Sequence, residues 1–183
     1  MNAETQILAV QAFVQKGHEG RIVEACDAAL KIGESDPALE YSGNPHVTIA
    51  SWRVTREELG ETESTFEERL QGLYAQEVQV SVEGRGQGNR LCYFLIPQVT
   101  QELEQFHHRI HEKLACKYEP FRNIDLPGSW WAHMTLFSVQ VGTETSIEHP
   151  LSILGEIGHI TMTRLGLVAF QPTKVIREVS LKV

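Results

Sequence analysis

Cysteine is scarce in this 183-residue chain: Cys26, Cys92 and Cys116 are all it has. They are widely spaced, odd in number and form no C-x-x-C pair, which argues against a disulfide framework and against a structural zinc site. Reduced thiols in or near a core are expected instead. Long apolar runs are also missing, and none approaches the ~20 residues that span a bilayer. The opening stretch, MNAETQILAV, carries an early acidic residue and no basic region ahead of its short apolar run. It lacks the pattern of a secretory signal, so the expectation is a cytoplasmic protein with no membrane partner. Positive charge is in the minority, with 16 Lys and Arg against 24 Asp and Glu and a formal net charge of −8. A protein that grips a long duplex normally presents a basic face. The expected partner is therefore a short or small anion, not a long nucleic acid. No Gly-, Pro- or Ser-rich linker divides the chain.

What is present is ordinary globular material, 42% hydrophobic and 22% charged. TQILAVQAFV (5–14) reads as a strand, and 17–34 as a helix with Ile22, Val23, Cys26, Ala29 and Leu30 at helical spacing and Gly33 as a stop. SGNP (42–45) is a turn and HVTIASWRV (46–54) a strand. Residues 57–76 are charged and amphipathic, hence helical. VQVSVEG and RLCYFLIPQV flank a GRGQGN turn and form a hairpin. Then the plan repeats: a helix over 100–118 with Leu103, Phe106, Ile110 and Leu114 on one stripe, a loop NIDLPGS, the strand WWAHMTLFSVQV (130–141), a short helical piece 146–157, and two closing strands. Element order predicts an α+β chain of two similar lobes, each an antiparallel sheet flanked by helices, with a central cleft between them. All of 1–183 forms one such unit, expected to be a monomer.

Both halves carry the same polar pair on a strand: His46–Val47–Thr48–Ile49 and His133–Met134–Thr135–Leu136. Residues i and i+2 of a strand point the same way, so each histidine shares a face with its threonine while the apolar partners face a core. Chance alone supplies roughly half an H-x-T in a chain of this composition. A third copy, His159–Ile160–Thr161, sits in a different slot of the plan and is read as decorative.

Two H-φ-T-φ strands 87 positions apart in duplicated α+β lobes resemble the 2H phosphoesterase superfamily, which includes bacterial 2′-5′ RNA ligase-like proteins and 2′,3′-cyclic phosphodiesterases. The aromatic, proline–glycine approach LPGSWWAH is similar to the lead into that family's motif. The resemblance implies catalytic His46 and His133, phosphate-binding Thr48 and Thr135, no cofactor and no metal. It also implies hydrolysis of a 2′,3′-cyclic phosphate on a nucleotide or short RNA end, with 2′-5′ RNA joining or nucleotide binding without turnover as alternatives. Chemistry leads to the same place. Imidazole gives and takes protons near neutrality, and threonine hydroxyls donate to oxygens whose charge shifts at the transition state.

Strand parity extends the expected cleft face. Trp131 and Phe137 share parity with His133, and Trp52 shares it with His46, so these could stack on a base; Phe13, Tyr93 and Phe94 are further candidates. Arg53 falls on the opposite parity. FHHRIH brings His107, His108 and His111 onto a helix, but without H-E-x-x-H or a distant ligand, so solvated surface is expected. Gly84–Gly88 precedes a strand, not a helix, and is read as a hairpin turn.

Overall fold

A computed structural model of the chain describes residues 5–32, 44–115, 117–142, 147–170 and 173–183. In chain order these form β1 (Gln6–Val14), α1 (Lys16–Leu30), β2 (His46–Val54), α2 (Arg56–Leu70), β3 (Gln76–Gln87), β4 (Arg90–Pro97), α3 (Gln101–Ile110), β5 (Glu119–Pro120), β6 (Met134–Gln140), α4 (Glu148–Gly155), β7 (His159–Ala169) and β8 (Lys174–Ser180). The expected elements recur in the expected order. The additions are β5, a π-helical turn His111–Ala115 that continues α3, and a 3-10 turn Asn123–Asp125. The Gly33 stop, Ser42 and Gly43 of the expected turn, and Cys116 lie outside the described residues.

Local chemistry sets the boundaries. Thr55 caps α2 in a capping box: its backbone N–H donates to Glu58 Oε2 at 2.7 Å while its hydroxyl accepts from the Glu58 N–H. Thr100 caps α3 with its hydroxyl alone, which accepts from the Leu103 N–H. The glycine-rich stretch does make a hairpin, but Gly84–Gln87 belong to β3 and the reversal narrows to Gly88 and Asn89, where Gly88 takes φ 64°.

The sheet order is β5-β2-β1-β7-β3-β4-β6, with β8 following β3 along the edge of β7 that faces away from β1, and every named pair is antiparallel. β3 serves two lobes: Gln76–Gln79 pair with β7, and Val80–Gln87 pair with β4. Leaving out the two-residue β5 at one end, matching β1 with β4, β2 with β6 and β7 with β3 makes the remaining six-strand order read the same from either end. The lobes are not the two halves of the sequence, however. β7 comes from the second half and lies beside β1; β3 comes from the first half and lies beside β4. The helices cross over too. α3 packs on β2 and α2 beside it, whereas α1 packs on β6 and on α4. The apolar stripe expected on α3 is buried as Leu103, Phe106 and Ile110, and Leu114 continues it within the π turn. Among the described residues, no helix is long and apolar enough to cross a membrane.

Candidate active site

Each H-x-T strand carries one extra residue just past its threonine. In β2, Thr48 pairs with Gln11 and Ala50 with Val10, so Ile49 has no partner. In β6, Thr135 pairs with Phe94 and Phe137 with Tyr93, so Leu136 has none. Such a bulge bends the strand and inverts the alternation beyond it. Helix side chains satisfy both bulged carbonyls. Cys26 Sγ donates to Leu136 O at 3.4 Å, and His111 Nε2 donates to Ile49 O at 3.3 Å. Cys26 and His111 each lie ten residues past the first residue of α1 and α3, so the same device is built twice with different donors.

The inverted alternation corrects the expected cleft wall. Trp52 is fully buried and stacks on Tyr118, with ring centroids 5.9 Å apart. Phe137 turns into the other lobe's core against Tyr93, 5.1 Å away, and Tyr93 is buried with it. None of these three lines the cleft. Phe13 does share the face of His46 and meets its ring edge-on at 6.3 Å, but it is buried and backs the histidine instead of facing ligand. Trp131 sits between His133, 3.9 Å away and nearly parallel, and the Arg85 guanidinium, 4.4 Å from its centroid. It supports the imidazole and offers no free face for a base. Phe94 packs on both Trp131 and His133.

The four H-x-T side chains converge. His46, Thr48, His133 and Thr135 line one open cavity of about 180 Å³, smaller than the ~300–1,000 Å³ pockets that enclose drug-sized ligands. His46 opens β2 and His133 immediately precedes β6. Each imidazole makes the same bond: Nδ1 donates to the carbonyl two residues earlier, Asn44 O or Trp131 O, at 2.8 Å. A carbonyl only accepts, so the proton sits on Nδ1 and Nε2 is left for the cavity. Burial lowers both imidazole pKa values, most strongly of all influences. For His46 a cation on His133 and the Arg122 guanidinium add to the lowering; for His133, Arg122 and Arg85 lower it further and Asp125 opposes them.

Sequence reasoning missed several neighbours. Ser51 and Ser138 stand five positions after each histidine, so the repeat is H-x-T-x-x-S, and the bulges bring both serines back to the cleft face. Ser138 Oγ accepts from Arg90 Nε at 2.9 Å, whereas Ser51 donates to the Asp125 carboxylate. Asp125, buried, also takes Arg122 in a two-toothed grip at 3.1 and 3.2 Å. Its backbone carbonyl accepts from both His107 and His111. The expectation of a solvated histidine surface is thus corrected: His108 is exposed, but His107 and His111 are 2% and 7% exposed and hold the loop that carries Arg122. Arg122 lines the cavity, and no carboxylate does among the described residues. Phe121 and Phe170 complete the wall. His159 lies elsewhere, exposed beside Glu77 and His18.

Fold and cleft define a two-lobed α+β architecture that is shared with solved structures of E. coli LigT and Kluyveromyces marxianus Usb1. E. coli LigT complexed with ATP is similar at TM-score 0.57 and 15% identity, over 98% of this chain and 99% of that one. E. coli LigT complexed with phosphate gives TM-score 0.57 and 13% identity over 98% and 99%. Kluyveromyces marxianus Usb1 gives 0.50 and 8% over 99% of each. By sequence, no protein-family model and no curated protein matches the chain. At these identities the likeness speaks for the fold.

Proposed function

We propose that this protein is a 2H-type phosphodiesterase that opens 2′,3′-cyclic phosphates of nucleotides or short RNA ends without a metal ion. One observation carries this: two imidazoles with matching Nδ1 anchors line a single acid-free cavity with two threonine hydroxyls and one arginine. One neutral Nε2 removes a proton from water as the water oxygen attacks phosphorus. The bond from phosphorus to one ribose oxygen breaks, and the other histidine, protonated at Nε2, gives that oxygen its proton. Thr48 and Thr135 donate to nonbridging oxygens, and Arg122 balances their charge. Run in reverse, the two histidines exchange roles. The solved complexes of the similar LigT with phosphate and with 3′-AMP support an anionic nucleotide as the ligand class.

Phosphorus NMR of nucleoside 2′,3′-cyclic phosphates with the purified protein tests this. Conversion to a monoester is expected, undiminished by chelator and reduced ~10²–10⁴-fold in either His46→Ala or His133→Ala. Full activity in either variant, or loss of activity on chelation, overturns it. Calorimetric binding without any product would favour a nucleotide-binding module.

A further inference from the structure

We infer that the nucleobase of the substrate stacks on Phe121, over a floor made by Ala9 and Ser51; this rests on the phosphodiesterase reading above. Trp131, whose aromatic ring the sequence offered for this task, is held between His133 and Arg85. Among the described residues, the aromatic phenyl rings on the cavity wall are Phe121 and Phe170. Phe121 is 38% exposed, and the Arg53 guanidinium lies over its ring at 5.1 Å from the centroid. Arg53 does not line the cavity, so the ring is backed by a cation while still bordering the space where ligand would sit.

The floor explains where the space comes from. Ser51 pairs with Ala9 across β2 and β1, and the Phe121 N–H donates to Ser51 O at 2.9 Å. Phe121, Ser51 and Ala9 therefore form one row across the sheet, and the two floor side chains are among the smallest available. The row containing Thr48 and Gln11 lies two to three residues back along the strands, about 7–10 Å at the ~3.3 Å rise of a strand. A ribose spans that interval between a phosphate at the histidines and a base at Phe121. Phe170, just past β7 on the far side of β1, closes the other end. The site so built takes one nucleoside with its cyclic phosphate, and recognises the base by its π-face, not by hydrogen bonds to its edge.

The test compares a nucleoside 2′,3′-cyclic phosphate with 1-O-methylribose 2′,3′-cyclic phosphate, which has no base. Phe121→Ala should raise KM for the nucleoside substrate relative to that for the baseless one by roughly 5- to 150-fold, the range of aromatic–base stacking. Phe121→Trp should restore the nucleoside KM. Equal loss on both substrates, or no loss on the nucleoside, overturns the subsite while leaving the phosphodiesterase standing. Calorimetry with 3′-AMP against ribose phosphate separates the reverse case. Base-dependent binding that vanishes in Phe121→Ala, in a protein that turns over neither substrate, supports the subsite and overturns the hydrolase.

Discussion

Trp131 lies flat on His133, ring centroids 3.9 Å apart and planes 17° from parallel, whereas His46 meets only the edge of Phe13. The two histidines have the same main-chain anchor but different ring supports, so His133 owes part of its orientation to one tryptophan. Trp131→Ala should lower kcat roughly tenfold or more, since small misplacements of a reacting group are costly, with KM little changed. Trp131→Phe should recover most of the rate. A rise in KM alone would assign Trp131 to ligand binding instead.

Both imidazoles are held below their ordinary pKa, chiefly by burial. The productive state has one proton shared between them, and it is most populated between the two macroscopic pKa values of the pair. The maximum of kcat/KM is therefore expected on the acid side of pH 6.5, in a bell-shaped profile measured across pH 4.5–8.

His107 bears on stability. Burial, with the neighbouring His111 adding, lowers its pKa to about 4. Between about 4 and 6.5 the unfolded chain binds a proton that the folded one refuses, so stability rises with pH through that window and is lost as pH falls. The full span corresponds to roughly 3 kcal/mol. Urea midpoints at pH 7 and pH 4.5 should differ in that direction, with the other buried imidazoles adding to it, and His107→Gln, which keeps a donor for Asp125 O, should reduce the difference. An unchanged slope would place the titration elsewhere.

The bulge donors allow a paired comparison. His111→Ala leaves the Ile49 carbonyl without its helix donor and removes one of two donors to Asp125 O, a loss of about 1–3 kcal/mol that should also reduce activity through Thr48 and Ser51. Cys26→Ala removes only a weak thiol donor whose pKa burial has pushed up to about 12, and should change the urea midpoint far less. An unchanged midpoint and activity in His111→Ala would mean that this donor does not hold the β2 bulge.

Arg122 is set in place by Asp125. Arg122→Ala should reduce kcat ~10²–10³-fold, as loss of a transition-state donor does. Asp125→Asn should reduce it less and leave the Arg122 charge present. Activity of Arg122→Ala equal to that of the parent protein would remove the cation from the chemistry.

Period-two alternation in HVTI and HMTL was enough to find both strands and the faces of all four H-x-T side chains, because nothing irregular intervenes between histidine and threonine. Beyond the threonine parity failed, and with it Trp52 and Phe137. The bulges that flip them answer to donors on distant helices, Cys26 and His111, which no local pattern announces. Ser51 and Ser138 were visible, since both follow their histidine by five positions, and comparing the motifs over six residues instead of four reveals them. Arg122 was not, because its value lies in Asp125, whose own position depends on two buried histidines. The α+β element order was legible; the exchange of β3 with β7 and of α1 with α3 was not, since order along a chain does not say which lobe receives an element.

That exchange ties the two halves together more firmly than a shared cleft would. Severing the polypeptide within the Gly88–Asn89 turn would leave an amino-terminal fragment with β1 unpaired on one edge and a carboxy-terminal fragment with β4 bare on its own. Neither piece could complete a sheet alone, yet each holds the strand and the helix that the other is missing, so they should be recovered only by refolding in one vessel.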